Sequence, residues 1–285
     1  MSGVTPAEAR RGEAARIAAM AQQLRRDVVD MVYHGGSGHP GGSFSAAEIV
    51  ATLYWHVMRI DPSRPDWAER DRFILSKGHS APIVYAALGE KGYFDQAHFM
   101  KLRVIDSILQ GHPDMRKTPG IDMTTGSLGQ GLAAGLGMAL AGRLQGLDYR
   151  VYVLLSDGEL QEGMVWETAM AAAHFRASRL TAIVDINRLQ TDGPTASIMG
   201  IEPVADKWRA FGWDVLEVDG HDVTALLDAF ATAASGADDR PRVILCETVK
   251  GKGVSFMEGV TEWHSSAISD EQREIALREL AAQGA

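Results

Sequence analysis

The residue types best suited to holding a hydrated dication and a phosphorylated ligand stand at Asp157 and Asn187. Asp157 lies in Ser156-Asp157-Gly158-Glu159, directly after the apolar run Val151-Tyr152-Val153-Leu154-Leu155. Asn187 lies in Asp185-Ile186-Asn187-Arg188-Leu189, at the end of the apolar run from Leu180 to Ile186. With Met164 to Phe175 reading as a helix between them, the two runs form a βαβ unit. Strands of a right-handed crossover are parallel, so residues just past both carboxyl ends emerge on one edge of the sheet, where ligands bind in this architecture. A carboxylate and an amide carbonyl are hard oxygen donors. They are too few to cage a bare cation, but they suit Mg²⁺ whose other positions are filled by water and phosphate oxygens. Gly158 then has a purpose, because a diphosphate approaching here meets amide hydrogens at a helix entrance. Taken singly, Asp157 reads first as the cap of a helix beginning near Glu162, and Asn187 as a turn residue. Their occurrence together across one unit favours the ligand-binding reading.

Four of the nine histidines, His39, His79, His112 and His264, lie in turns marked by glycine or proline. Imidazoles donate hydrogen bonds to diphosphate and sugar oxygens and titrate near neutrality, which suits proton transfer at hydroxyls and carbonyls. His34, His56, His98, His174 and His221 lack that context and read as structural. Gly251-Lys252-Gly253-Val254 lacks the spacing of a Walker phosphate loop. Cys246, in Val243-Ile244-Leu245-Cys246, reads as a small buried hydrophobe, and Trp166, Trp208, Trp213 and Met170 read as core.

The positioning elements follow from periodicity. Thr5-Pro6-Ala7-Glu8 is a capping box with proline at the first helical position, and Ile17, Met20, Leu24, Val28 and Met31 continue at helical spacing. That predicts a long amphipathic helix over 6–33, ended by the flexible glycine-rich break from His34 to Gly42. Ser45 is expected to cap a second helix through Ile49, Leu53 and Val57. Further strands are expected at Phe73 to Leu75, Trp213 to Val218 and Arg242 to Thr248, and further helices through Leu88, over Leu132 to Leu144 and over Val223 to Ala234. A soft loop runs from Ala234 to Asp239, and a helical tail over 269–283 is capped by Ser269 with Gln272. Strands alternating with helices predict an α/β fold: a doubly wound, mostly parallel sheet flanked by helices, as one domain over 1–285.

Composition narrows the function classes. The chain has 285 residues and a net charge of −9, with no basic block, which disfavours nucleic acid as a partner. Its least charged stretch, the 17 residues from Gly126 to Gly142, includes six glycines, too short and polar to span a bilayer. Charges at Glu8, Arg10, Arg11, Glu13 and Arg16 argue against a secretory signal, and the single cysteine implies a reducing compartment. The expectation is a cytoplasmic protein with no membrane partner.

Seven segments stand in a fixed order: Ser37-Gly38-His39-Pro40-Gly41, Pro65-Asp66-Trp67 with Arg70-Asp71-Arg72-Phe73, Ser76-Lys77-Gly78-His79 and Gly111-His112-Pro113. Thr124-Thr125-Gly126-Ser127-Leu128-Gly129-Gln130-Gly131, Asp157-Gly158-Glu159-Leu160-Gln161-Glu162-Gly163 and Trp263-His264 follow. This ordered set resembles the transketolase family of thiamine diphosphate enzymes. The pattern departs from the family at Ser156, Ile186 and Ser265. The resemblance implies a thiamine diphosphate-binding fold in which Asp157, Asn187 and the Leu189 carbonyl bind Mg²⁺, with Ca²⁺ or Mn²⁺ able to substitute. It implies that Gly158, His79 and His264 touch the diphosphate and that Gly126 and Leu128 lie against the cofactor's rings. His39 and His112 would face the substrate, His264 would assist proton transfer, and Glu162 would join paired active sites at a subunit contact.

Family members that work alone are more than twice as long, and the half missing here carries the pyrimidine-binding domain. The resemblance therefore implies the N-terminal subunit of a split transketolase, which needs a C-terminal subunit to work and self-associates as a dimer of heterodimers. The implied reaction moves a two-carbon ketol unit from a ketose phosphate to an aldose phosphate. The alternatives are half of a related enzyme for modified sugars, half of a deoxysugar-phosphate synthase, and a non-catalytic assembly or regulatory subunit.

Overall fold

The computed structural model describes residues 5–235 and 238–283. Gly236 and Ala237 of the predicted soft loop, and the ends of the expected 1–285 domain, lie outside the described residues. In chain order the strands are β1 (Arg72–Leu75), β2 (Val151–Ser156), β3 (Leu180–Ile186), the short β4 (Leu189–Gln190) and β5 (Gly193–Pro194), β6 (Asp214–Asp219) and β7 (Arg242–Glu247). Five of them form a parallel sheet in the order β1-β2-β3-β7-β6, while β4 and β5 pair as an antiparallel hairpin. The helices are α1 (Pro6–Gly35), α2 (Pro40–Ser45), α3 (Ala47–Thr52), α4 (Ala81–Lys91), α5 (Gln130–Leu144), α6 (Gly163–His174), α7 (Thr195–Ile198), α8 (Val204–Ala210), α9 (Val223–Ser235) and α10 (Asp270–Gln283).

Apolar residues on both faces of β2 and β3 require cover on both sides of the sheet. Tyr152, Leu154, Ile183 and Ile244 share one core with α1, α3, α4, α9 and α10. Val151, Val153, Leu155, Ala182, Val184, Val243 and Leu245 share the other with α5, α6 and α8. The alternation follows from side chains pointing to opposite faces at successive strand positions. A doubly wound α/β sheet is the result, as the pattern of elements predicts. Among the described residues no helix is long and apolar enough to cross a membrane.

The capping box forms as read, Thr5 accepting from the Glu8 amide and Glu8 accepting from the Thr5 amide at 2.8 Å. α1 runs two residues past its expected end and stops at Gly36, whose φ of 64° lies in the left-handed region. The next segment corrects the expectation of a flexible break followed by a helix capped at Ser45. α2 already begins at Pro40, and Ser45 donates to the Asp185 carboxylate at 2.6 Å instead of capping. Glycine is required here for close approach, since a Cβ at Gly41 would lie 2.7 Å from the Trp263 carbonyl oxygen.

Met170 is a second correction, because it is 60% exposed. α6 turns Val165, Ala169 and Ala172 inward, and Met170, one position past Ala169, points away from them. Trp208 and Trp213 are buried as expected, and Trp166 packs against the same core.

A buried ionic chain ties the helical layer to the site's edge. Arg25 on α1 donates to Glu48 on α3 at 2.6 and 2.7 Å, and His221 Nδ1 lies 2.9 Å from the same carboxylate. His221 Nε2 accepts from the Val249 amide at 2.9 Å, which leaves its proton on Nδ1, facing Glu48.

Candidate active site

The carboxyl ends of β2 and β3 lie side by side, with Ser156 opposite Asp185 and the Asp157 amide bonded to the Asp185 carbonyl at 3.1 Å. Asp157 is only 2% exposed. One of its oxygens accepts from the Gly158 amide at 2.8 Å and the other from the Arg188 amide at 2.6 Å, so the carboxylate reaches the turn that carries Asn187. Asp157 does cap, but it caps the short turn Gly158–Gln161; α6 starts at Gly163 without a side-chain cap. The Asn187 amide nitrogen lies 3.3 Å from Asp185, and its oxygen accepts from the Leu189 amide at 3.1 Å.

Buried carboxylates behind this edge hold it in place. Lys77 bonds Asp185 at 2.5 Å and the Gly42 carbonyl at 2.7 Å, while Ser45 and Thr248 also donate to Asp185. Burial alone would raise the Asp185 pKa; Lys77, Ser45 and Thr248 outweigh it and hold the carboxyl below its ordinary range. Glu159, fully buried, accepts from Ser76 and from the Gly129 amide at 2.7 Å, tying the Gly126–Gln130 segment to β2.

In front of the edge lies a cavity of about 170 Å³ lined by Asp157, Gly158, Asn187, Leu189, Lys250 and His264 among others. A larger cleft of about 660 Å³ opens among Arg59, Asp148, Arg150 and Arg179, next to the amino ends of β2 and β3 and away from these groups. Lys250 reaches the Leu189 carbonyl at 3.1 Å and His264 Nδ1 at 3.0 Å. It is 2% exposed and, among the described residues, forms no salt bridge. Burial pushes its ammonium down to about 8 against the pull of Asp157. On the opposite wall, burial and then Asp185 push the Asp157 carboxyl up to about 6.

Unmatched buried charges of opposite sign across one cavity fit a dication joined to an anion, with the metal toward Asp157 and the anion toward Lys250. Gly158 fits the same group, because a Cβ there would meet only Gln190 at 3.4 Å and 3.8 Å; packing within the chain leaves that space open. Among the described residues no group of three or more His, Cys, Asp or Glu could hold a metal by itself, so a dication at this edge would need ligand oxygens to complete its shell. Lys250→Met is expected to weaken binding of a diphosphate ligand about 10- to 100-fold, the worth of one charge-assisted hydrogen bond, as measured by calorimetric titration.

All four turn histidines converge beside this cavity. Ring centroids of His79 and His264 are 5.0 Å apart, and His39 lies 5.4 Å from His79, 5.5 Å from His264 and 6.3 Å from His112. Burial, followed by neighbouring cations and imidazoles, lowers all four: His39 to about 3, His264 to about 4, His79 well below its ordinary value and His112 downward. They are neutral imidazoles at physiological pH, able to donate from one nitrogen and accept at the other. Leu128, Glu162 and His79 line the cavity, while Gly126 (φ 148°) sits against the His112 ring, where a Cβ would come within 3.2 Å. None of His34, His56, His98, His174 and His221 joins the cluster.

The structure adds Lys77 and Lys250, which sequence reasoning did not single out. Each follows the carboxyl end of a strand, β1 for Lys77 and β7 for Lys250, so the rule that located Asp157 and Asn187 applies to them as well.

Fold and site together define an α/β protein whose polar cavity, at the carboxyl edge of a parallel sheet, fits a phosphorylated ligand. The family model described as "Transketolase, thiamine diphosphate binding domain" matches residues 17–282. The chain is 45% identical to 6-deoxy-6-sulfo-D-fructose transketolase subunit SqwG of Clostridium sp. (strain MSTE9), over 93% of this chain and 96% of that protein. It is 40% identical to one of the subunits of apulose-4-phosphate transketolase of Phocaeicola vulgatus, over 91% of this chain and 92% of that one. The solved structure of transketolase from Leishmania mexicana superposes with a TM-score of 0.83 at 31% identity, covering 94% of this chain and 45% of that one. This chain belongs to the transketolase family and carries its thiamine diphosphate-binding domain. It spans under half the length of that solved enzyme and nearly the whole length of the relatives named as subunits.

Proposed function

We propose that the chain acts as a single diphosphate-binding domain, the N-terminal subunit of a two-chain transketolase in the cytoplasm. The assembly transfers a two-carbon ketol unit from a ketose phosphate to an aldose phosphate. The observation that carries this reading is the convergence of four neutral histidines on a cavity with a buried carboxylate on one wall and a buried ammonium on the other. Thiamine diphosphate, when bound, supplies carbanion stabilisation at the substrate carbonyl carbon. Asp157, the Asn187 amide oxygen and the Leu189 carbonyl hold Mg²⁺, while Lys250, His79, His264 and the Gly158 amide hold the diphosphate. Gly126 and Leu128 bear on the cofactor's rings. His39 and His112 hydrogen-bond substrate oxygens, and His264 relays a proton at the reacting hydroxyl.

The cavity of about 170 Å³ falls below the roughly 300–1,000 Å³ typical of small-molecule sites, so it takes the diphosphate end and leaves the rest of the cofactor to a second surface. That surface is the C-terminal subunit with the pyrimidine-binding domain, and exposed Glu162 at the cavity mouth meets a second copy in a dimer of heterodimers. A second reading of the substrate has its own support. The two subunit-length relatives named above carry the names of a sulfonated ketose and of apulose 4-phosphate, which favours a modified anionic ketose as donor.

Transfer activity measured with phosphorylated and with sulfonated ketose donors tests both readings. The expected result is activity only when this chain and its C-terminal companion are mixed. Robust transfer by the purified chain alone would overturn the two-subunit reading. A complex that binds neither Mg²⁺ nor thiamine diphosphate would point to a non-catalytic role.

A further inference from the structure

We propose that Arg103 is a positioning residue that holds His39 as a neutral imidazole with its proton on Nε2, fixing a hydrogen-bond donor in the histidine cluster. One nitrogen of its guanidinium donates to Ser37 Oγ at 2.9 Å, and the other lies 3.3 Å from His39 Nδ1. A guanidinium carries only donors, so this contact is a hydrogen bond only if Nδ1 offers a lone pair. The proton of the neutral ring then resides on Nε2.

Three features keep Arg103 aimed this way. Its backbone has φ 62°, a left-handed conformation uncommon for a residue with a side chain, and its amide is tied to the Leu109 carbonyl at 2.9 Å. Its stem rests on Gly111, where a Cβ would lie 3.2 Å from Arg103 Nε. Among the described residues it forms no salt bridge, so no carboxylate draws the guanidinium away from Ser37 and His39. The groups facing His39 are His79, His112 and His264, together with the cations Arg103 and Lys250. A protonated His39 would set an N–H against the guanidinium and add a positive charge to this set. Burial acts in the same direction and brings its pKa down to about 3.

The inference deepens the function proposed above, and only its kinetic arm depends on that function. The direct test is the ring ¹⁵N–¹H spectrum of the full 285-residue chain, with His39 assigned by its loss in His39→Gln. In the unaltered protein Nδ1 is expected to be unprotonated and Nε2 protonated, unchanged between about pH 8 and pH 5. Arg103→Met, which leaves Nδ1 without its fixed donor, is expected to give a mixture of the two neutral tautomers across that range. Arg103→Lys, whose ammonium also only donates, restores the single tautomer. In the complex with the C-terminal subunit, Arg103→Met is expected to lower kcat/KM about tenfold, and Arg103→Lys to recover most of it. A proton on Nδ1 in the unaltered chain would overturn the proposal, and that spectrum decides even if Arg103→Met does not fold. So would an unchanged ring pattern in a folded Arg103→Met protein. If the complex shows no transfer while the ring pattern stands, the functional reading fails and the positioning role does not.

Discussion

Asp157→Asn is expected to reduce Mg²⁺-dependent thiamine diphosphate binding by more than about 100-fold while leaving the fold intact. Loss of an outer partner of a metal ligand typically costs about 10- to 100-fold, and Asp157 supplies the only charged oxygen of the proposed set, so its loss exceeds that range. The variant keeps the shape of the side chain and an oxygen for the Gly158 or Arg188 amide, and it removes a buried negative charge that, among the described residues, has no salt bridge. The amide left facing Nδ2 costs about 1–3 kcal/mol, against relief of the buried charge, so thermal unfolding without metal should shift by no more than about 10 °C and stay cooperative. Titration of the complex with thiamine diphosphate, with and without Mg²⁺, measures the first quantity, and calorimetry of the chain the second. Normal affinity in the variant would remove Asp157 from the site.

The largest stability effect is expected at Glu48. Arg25 is fully buried and Glu48 is 6% exposed, so Glu48→Gln leaves a guanidinium buried without its counter-charge. Such a break costs about 3–5 kcal/mol. Burial raises the Glu48 carboxyl, but Arg25 and His221 outweigh it and bring its pKa down to about 2. The sign follows from linkage. A carboxyl depressed in the folded state contributes stability above its unfolded value near 4.5, and that contribution disappears as pH falls toward 2. Urea unfolding of both proteins should show a gap at pH 7 that narrows below about pH 4.5. A constant gap across that range would mean that the carboxylate's charge is not what stabilises the pair. Loss of this anchor also loosens His221, which holds the backbone amide next to Lys250.

The parallel sheet is legible in the sequence because β2 and β3 are buried on both faces and so read as continuous apolar runs. Asp157 and Asn187 are legible for a topological reason: parallel strands deliver the residues after them to one edge, wherever the rest of the chain goes. The same reasoning extended to β1 and β7 reaches Lys77 and Lys250. The segment from Gly35 to Gly42 is misread because glycine marks both flexible backbone and close packing. The Trp263 carbonyl that decides between them is more than 200 positions away in the chain. Met170 fails for a related reason, since an apolar residue at helical spacing shows its face only once its neighbours are known. The gathering of His39, His79, His112 and His264 rests on tertiary packing, and periodicity indicates only the turn that carries each one.

The central claim is that Asp157, Asn187 and the Leu189 carbonyl share one dication that anchors a diphosphate. Its most direct test is a crystal structure of this chain with its C-terminal subunit, thiamine diphosphate and Mn²⁺, read by anomalous scattering. The expected result is one peak about 2.1 Å from each of those three oxygens and from diphosphate oxygens. A dication bound elsewhere, or diphosphate density with no contact to Asp157 and Asn187, would contradict it.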